Sequence, residues 1–413
     1  MFYVGIDVSK KSSEICVINQ KKEIVKQFKL IHSNDGFKKF FKIIRKIDKN
    51  KNNFEFAIEA TNTFWKPVFF IIRGKGFNIS LINPYSSSNF SKSFNKFTKT
   101  DKQDALNIAI QLSTGLIKEA LVPEDKISDL RELIKEYNNF MTQIYNIKRR
   151  ISSILTKVFY EYNMVFRDPF NVTSRTILKK YPSAFALAKA KKDELINIFR
   201  SIKGNNFSEY KANKIINFAK NSITPNNGIK ANEFILKNTI IILEIYLEQK
   251  KLIEKQIFAI LNNLNLEYEN NSENNNKITP IKAILSIPGV GKKTAAVIIG
   301  SCGDLTKFNN VNKFLGYIGL YPFKYQSGKK NKSYPLSKGI PIVKKQLYCA
   351  AVAALKHNNE LRQVYNNAIN KGFNSKKALF KVMVKLAKII WHLYNYNCLY
   401  NPAKVFVANP VNA

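Results

Sequence analysis

Four carboxylates in an acid-poor stretch of chain have the chemistry and the settings to hold a hard metal ion. Asp7 ends the apolar run Phe2-Tyr3-Val4-Gly5-Ile6, and Glu59 ends a second run, Phe54-Glu55-Phe56-Ala57-Ile58. Asp101 and Asp104 stand three apart in Lys99-Thr100-Asp101-Lys102-Gln103-Asp104-Ala105, where a helical pattern opens, so both project from one helical face. Mg²⁺ takes few carboxylates and keeps water or phosphate oxygens as its other ligands; two such ions roughly 4 Å apart activate a nucleophile and stabilise the leaving oxygen of a phosphodiester. The same residues also have a structural reading, as strand ends and as acids favoured in a helix's first turn. A fifth residue, Ser327, lies in the basic stretch Tyr325-Gln326-Ser327-Gly328-Lys329-Lys330-Asn331-Lys332. A serine hydroxyl needs a base or a metal to become a nucleophile, and no His is near it in sequence. Taken alone, a Ser-Gly pair also reads as a turn.

Positioning these acids calls for an α/β domain over residues 1–120. Strands are predicted at 3–8, 14–19, 24–30, 54–59 and 77–82, with helices at 36–47, 65–72 and 101–112. Short connections join the first three strands, as in an antiparallel meander; the later ones alternate with helices, as in parallel additions to the same sheet. A central strand that ends in a carboxylate presents a ligand from a rigid element.

Beyond Pro123 the pattern turns to long helix. Ile127, Leu130, Ile134, Tyr137, Met141, Ile144, Ile151, Leu155 and Val158 keep a three-four spacing, with Lys148 at the one polar slot. That seam suits a coiled coil or an amphipathic helix packed within its own domain. A second long helix covers about 232–264, and between the two lies a Lys- and aromatic-rich helical insertion at about 165–228. The pair therefore reads as an antiparallel hairpin over 121–270 with the insertion at its tip. An Asn-rich linker at 270–277 leads to a mostly helical domain over 271–413.

Composition bounds the partners. Lys and Arg number 67 against 29 Asp and Glu, a formal charge of +38. An AT-rich genome would inflate Lys but would not deplete acids, so the excess reads as a surface for a polyanion, nucleic acid first. No apolar run approaches a membrane span and the N-terminus lacks a signal-peptide core, so no membrane partner and a cytoplasmic location are expected. Cys16, Cys302, Cys349 and Cys398 are far apart and there are three His, so the cysteines read as reduced core thiols rather than zinc ligands.

Ile287-Pro288-Gly289-Val290-Gly291-Lys292-Lys293-Thr294 fails the phosphate-loop pattern. Pro-Gly-Val-Gly between apolar helices reads as a helix-hairpin-helix or a plain helix turn. In the first case the backbone at Gly289 and Gly291, with Lys292, grips a nucleic-acid phosphate. Lys148-Arg149-Arg150 and Lys376-Lys377 read as solvated faces or as phosphate contacts.

Together these motifs resemble the DEDD transposases of the insertion-sequence-110 family. The first set is Asp7, Glu59-Ala60-Thr61 and the Asp101–Asp104 stretch. The second is Ile287-Pro288-Gly289-Val290-Gly291, Gly316-Tyr317-Ile318-Gly319-Leu320-Tyr321-Pro322 and Tyr325-Gln326-Ser327-Gly328, in the family's order from about residue 3 to residue 400. The resemblance implies a RuvC-like RNase H fold whose acids Asp7, Glu59, Asp101 and Asp104 bind Mg²⁺, with Mn²⁺ as a substitute. It implies a coiled-coil middle for oligomerisation as a dimer or tetramer, and a C-terminal domain whose Ser327 attacks DNA to form a phosphoserine link. Lys329, Lys330, Lys332 and Lys338 would contact phosphate. It further implies a structured noncoding guide RNA pairing with donor and target DNA, a composite active site between subunits, and a prokaryotic, nucleoid-associated setting. Two positions depart from the family: Asn62 stands where Gly is usual, a residue that tolerates positive φ. Pro335-Leu336-Ser337-Lys338-Gly339 has Pro where Arg is usual, with Lys332 as the nearest replacement charge. The rival readings are a RuvC-like junction resolvase or nuclease using the acids alone, and a basic nucleic-acid-binding protein with a structural tetrad.

Overall fold

The computed structural model describes residues 1–60, 63–84, 87, 90, 100–115, 117, 125–203, 208–270, 278–327, 330–335 and 339–406; for 125, 322–327 and 330–335 it describes the backbone alone. The chain forms two compact units, Met1–Pro123 and Glu124–Ala413.

The first unit is built on a five-stranded sheet, β1 (Phe2–Val8), β2 (Ser12–Ile18), β3 (Ile24–Ile31), β4 (Phe54–Glu59) and β5 (Asn78–Ile82), in the order β3-β2-β1-β4-β5. The first three strands run antiparallel to one another, and β4 and β5 add in parallel beside β1. Helices α1 (Asn34–Ile47) and α2 (Trp65–Gly74) cover one face, where Val4, Ile6, Phe56 and Ile58 meet Phe40, Ile44, Phe69 and Ile72. Helix α3 (Asp101–Ser113) covers the other: Ala105 and Ala109 lie on Cys16 and Ile18, and Ile108 and Leu112 on Ala57 and Ile82. A strand covered on both faces loses polar alternation, which is why β1 and β4 read as near-continuous apolar runs. The mixed sheet with its flanking helices has the architecture of a RuvC-like domain, and the rest of the chain is largely helical.

The second unit is organised by two long helices, α4 (Asp125–Val158) and α10 (Ile229–Asn270). The start of α4 packs on the end of α10, through Leu130, Ile134 and Tyr137 against Ile257, Leu261 and Leu264. The end of α4 meets the start of α10, through Ile151 and Leu155 against Leu236, Ile240 and Leu243. The helices are therefore antiparallel, and the seam of α4 is buried within its own chain. The insertion, α5 (Tyr162–Val165), α6 (Val172–Lys180), α7 (Ala184–Ala188), α8 (Lys192–Ser201) and α9 (Glu209–Lys220), closes a core over the hairpin's tip.

At the other end, α11 (Pro280–Leu285), α12 (Lys292–Cys302), α13 (Val311–Ile318), α14 (Pro341–His357), α15 (Asn359–Asn370) and α16 (Ser375–Tyr396) share a core with the hairpin's base. Helix α12 is its centre, buried from Thr294 to Gly300. Arg131 of α4 donates to the carbonyls of Gly300 and Ser301 at 2.9 and 3.3 Å, satisfying acceptors that the end of α12 would leave open. Around Ser327, where the sequence reads as a basic stretch with a Ser-Gly turn, the backbone forms two strands. Strands β6 (Pro322–Ser327) and β7 (Lys330–Pro335) pair antiparallel, with Ser327 opposite Lys330.

Candidate active site

Asp7 and Glu59 are brought side by side by strand pairing. The parallel register of β1 and β4 runs from Phe2 opposite Phe54 to Ile6 opposite Ile58, and the next residue on each strand is an acid. Adjacent strands lie about 4.8 Å apart, so the two carboxylates leave the sheet as neighbours. Alternation puts them on the face of Gly5 and Ala57, the face that α3 covers. Both are half-buried.

Helix α3 supplies the other two. Thr100 caps it, its hydroxyl accepting from the Gln103 amide at 3.3 Å. The buried stripe of α3 is Ala105, Ile108, Ala109 and Leu112. Asp101 is one helical turn before Ala105, and Asp104 one turn before Ile108, so both acids extend the sheet-facing stripe past the core. Asp104 is half-buried and Asp101 exposed. The helix lies directly on β1: a Cβ added at Gly5 would sit 2.1 Å from the Ala105 carbonyl oxygen and 2.4 Å from the Ala109 amide. Gln27 of β3 donates to the Lys102 carbonyl at 3.0 Å and ties the first turn of α3 to the sheet.

A fifth acid escapes a reading of isolated motifs. In the antiparallel register Asp7 faces Glu14 on β2, also half-buried. Like charges directly opposite in a ladder repel, and a cation relieves that repulsion. The signal was available in the short Ser9–Ser12 connection, which pairs Asp7 with Glu14 once β1 and β2 form a hairpin. The oxygen-only donor set suits a hard divalent ion. Among the described residues, no three Asp, Glu, His or Cys side chains converge closely enough to enclose an ion.

In the second unit Ser327 closes the register of the β6–β7 hairpin, opposite Lys330, and Lys332 stands opposite Tyr325. Gly328, Lys329 and Lys338 lie outside the described residues, as do Thr61 and Asn62. The Pro-Gly-Val-Gly turn joins α11 to α12. Gly289 has φ +93°, and a Cβ there would come within 2.7 Å of the Ala354 backbone on α14, so close packing and a left-handed turn both require glycine. Gly291 is the N-cap of α12, faces open space and offers no side-chain cap; Lys292 is exposed beside it. Lys293 turns inward instead. Its ammonium donates to Tyr137 of α4 and, at 3.0 Å, to Glu254 of α10, and it lies 4.2 Å from the centre of the Tyr137 ring. Burial opposes its charge, but the bonds to Tyr137 and Glu254 prevail and raise its pKa. Burial likewise pushes the Glu254 carboxyl up, and the bond and charge of Lys293 prevail to lower it. Of the basic trio on α4, Lys148 is half-buried over the Phe170 ring, 4.8 Å from its centre, while Arg149 and Arg150 are exposed.

Two family models match the chain, the first running past the first unit into α4. Residues 4–160 match a DEDD-type family model described as a transposase, and residues 281–366 match one described as the IS116/IS110/IS902 family of transposases. The chain is 22% identical over 318 residues, 75% of each chain, to an insertion element IS110 uncharacterized 43.6 kDa protein of Streptomyces coelicolor. It is 31% identical over 114 residues to a transposase for insertion sequence element IS1111A of Coxiella burnetii, covering 27% of this chain and 31% of that one. It is also 29% identical over 107 residues to a pilin gene-inverting protein of Moraxella bovis, covering 26% of this chain and 33% of the relative.

Proposed function

This chain belongs to the IS110 family of transposases, and we propose that it cuts and rejoins DNA through a covalent phosphoserine intermediate, guided by a structured RNA. One observation carries the reading. Asp7 and Glu59 end adjacent parallel strands on the face that α3 covers, and the sheet-facing stripe of α3 continues into Asp101 and Asp104. These four would hold Mg²⁺, or Mn²⁺ in its place. A divalent ion supplies charge neutralisation at a phosphodiester and makes a coordinated hydroxyl more acidic. The rigid sheet fixes two of the carboxylates, and the Thr100 cap fixes the turn that carries the others.

Ser327 is the nucleophile in this reading. Its hydroxyl oxygen bonds to phosphorus as one strand's P–O bond breaks. The serine proton is lost, and the leaving strand end takes a proton to become a hydroxyl. A hydroxyl of the new partner strand then attacks the phosphoserine and restores the serine, so the bond is exchanged without hydrolysis. Lys330 opposite Ser327, with Lys329, Lys332 and Lys338, would hold the phosphate, as would Gly289, Gly291 and Lys292 at the start of α12 and Lys148, Arg149 and Arg150 on α4. The three stretches 1–120, 121–270 and 271–413 would act as the acid-bearing, oligomerising and serine-bearing parts. Donor DNA, target DNA and guide RNA together suit a chain of formal charge +38.

A homo-oligomer, in which the serine of one subunit meets the acids of another, completes the reading. Its support is α10, which is apolar on two sides. Leu236, Ile240 and Leu243 face α4, while Phe234, Ile241, Ile245 and Leu252 are 70, 46, 53 and 51% exposed.

Denaturing gels of a reaction with labelled DNA, co-purified RNA and Mg²⁺ test the chemistry. The unmodified chain is expected to leave a protein–DNA adduct. Ser327→Ala should bind both nucleic acids but form neither adduct nor recombinant. Asp7→Asn and Asp104→Asn should lose cleavage while keeping RNA binding. An adduct that persists in Ser327→Ala places the nucleophile elsewhere, and hydrolysed ends without an adduct point to a nuclease.

A further inference from the structure

The inserted domain carries a surface that this reading leaves unused. Helix α9 buries Ala212, Ile215, Ile216 and Ala219 in the insertion's core. Its outward side is a continuous stripe of Tyr210, Asn213, Lys214, Asn217, Lys220 and Asn221, all exposed, with Tyr210 at 74%. The stripe contains no acid. The acids nearest to it are engaged elsewhere: Glu209 pairs with Lys192 at 2.5 Å, and Glu161 accepts from the Ser222 hydroxyl at 2.6 Å and the Ile223 amide at 2.9 Å. Burial, and then the charge of Lys214, hold the pKa of Lys211 below its ordinary value.

We propose that this face of α9 is a docking surface for duplex DNA, entering the major groove. Lys214 and Lys220, six positions apart along the stripe, reach phosphates, the asparagines present paired donors and acceptors suited to a base edge such as adenine, and Tyr210 supplies an amphipathic ring at the margin. A helix of this length spans roughly 18 Å, and the B-form major groove, about 12 Å wide, admits a helix. The deep, narrow major groove of A-form RNA does not, which selects DNA over the guide. The face would hold donor or target DNA by a contact separate from Ser327 and the acids, and to that extent it rests on the recombinase reading.

Fluorescence anisotropy of the full chain on a mixed-sequence duplex, over a range of salt, tests the proposal against a structured RNA measured in parallel. Lys214→Ala with Lys220→Ala should weaken duplex binding and reduce the slope of log affinity against log salt by about 2, near 0.9 for each phosphate that the lysines no longer neutralise. RNA binding should be unchanged, and Lys214→Arg with Lys220→Arg should keep the full slope. All four substitutions are on solvent-facing positions, and circular dichroism confirms the fold. An unchanged duplex slope in the alanine variant overturns the proposal alone, and so does a loss confined to RNA. If the unmodified chain binds no duplex, the docking surface falls while the recombinase reading, in which the guide RNA pairs with DNA, is untouched.

Discussion

Gly5 is where a single atom decides how closely α3 lies on β1. A methyl group there would meet the Ala105 carbonyl oxygen at 2.1 Å, so Gly5→Ala must lift α3 from β1. Overpacking of this kind costs about 1–3 kcal/mol. Because Asp104 precedes Ala105, the displacement also moves the acid-bearing turn. Gly5→Ala is therefore expected to lower the denaturation midpoint and, if the four acids hold Mg²⁺ as proposed, to weaken its binding measured by calorimetry, although none of the four is altered. An unchanged midpoint would mean that α3 does not rest on Gly5. At this scale the acids themselves were legible, since each ends an apolar run or opens a capped helix. Glu14 was not, because its place beside Asp7 depends on strand pairing, and the role of Gly5 depends on a helix a hundred residues away.

Elements are tied together by contacts that no local motif announces. Lys293 follows a turn that reads as a nucleic-acid grip, yet it joins α12 to both arms of the hairpin through Tyr137 and Glu254. Only the fold separates it from Lys292, its exposed neighbour. The pH dependence follows from the signs. Glu254 is lowered below its ordinary 4.5, so its contribution is complete above that value and is lost as pH falls through the lowered folded-state pKa. Lys293 is raised above its ordinary 10.5, so its contribution is complete below that value and is lost as pH rises through the raised one. The pair thus stabilises the unit across the interval between 4.5 and 10.5. Glu254→Gln should cost on the order of 1 kcal/mol at neutral pH, the ion pair being partly solvated. It should also shrink the loss of stability on the acid side in urea melts; an acid limb identical to that of the unmodified chain would remove Glu254 from the linkage. Strands β6 and β7 escape prediction for a different reason: the alternation of Phe323-Lys324-Tyr325-Gln326 spans only four residues, and Lys330-Asn331-Lys332-Ser333 has none.

At the scale of the whole molecule, periodicity alone could not say which copy of the chain fills the seam of α4. Its residues are filled from within: Ile134 is 2% exposed and packs beside Gly300 and α10. Ile134→Lys would bury a charge in this core and is expected to unfold the second unit rather than divide an oligomer. In the proposed oligomer the outer side of α10 would receive a second copy. Phe234, Ile241, Ile245 and Leu252 follow the seven-four-seven spacing of a heptad seam, which is the seam a second copy would cover in the proposed oligomer. Ile241→Lys with Ile245→Lys places two charges in that outer seam without touching the inner core. Its expected outcome is a chain with an unchanged helical spectrum and a light-scattering mass falling to the 47.4 kDa of one copy. If the active site is shared between subunits, the same variant should still bind RNA but lose strand exchange. A mass of 47.4 kDa for the unmodified protein, both alone and with its nucleic acids, would show instead that α10 is not where copies meet.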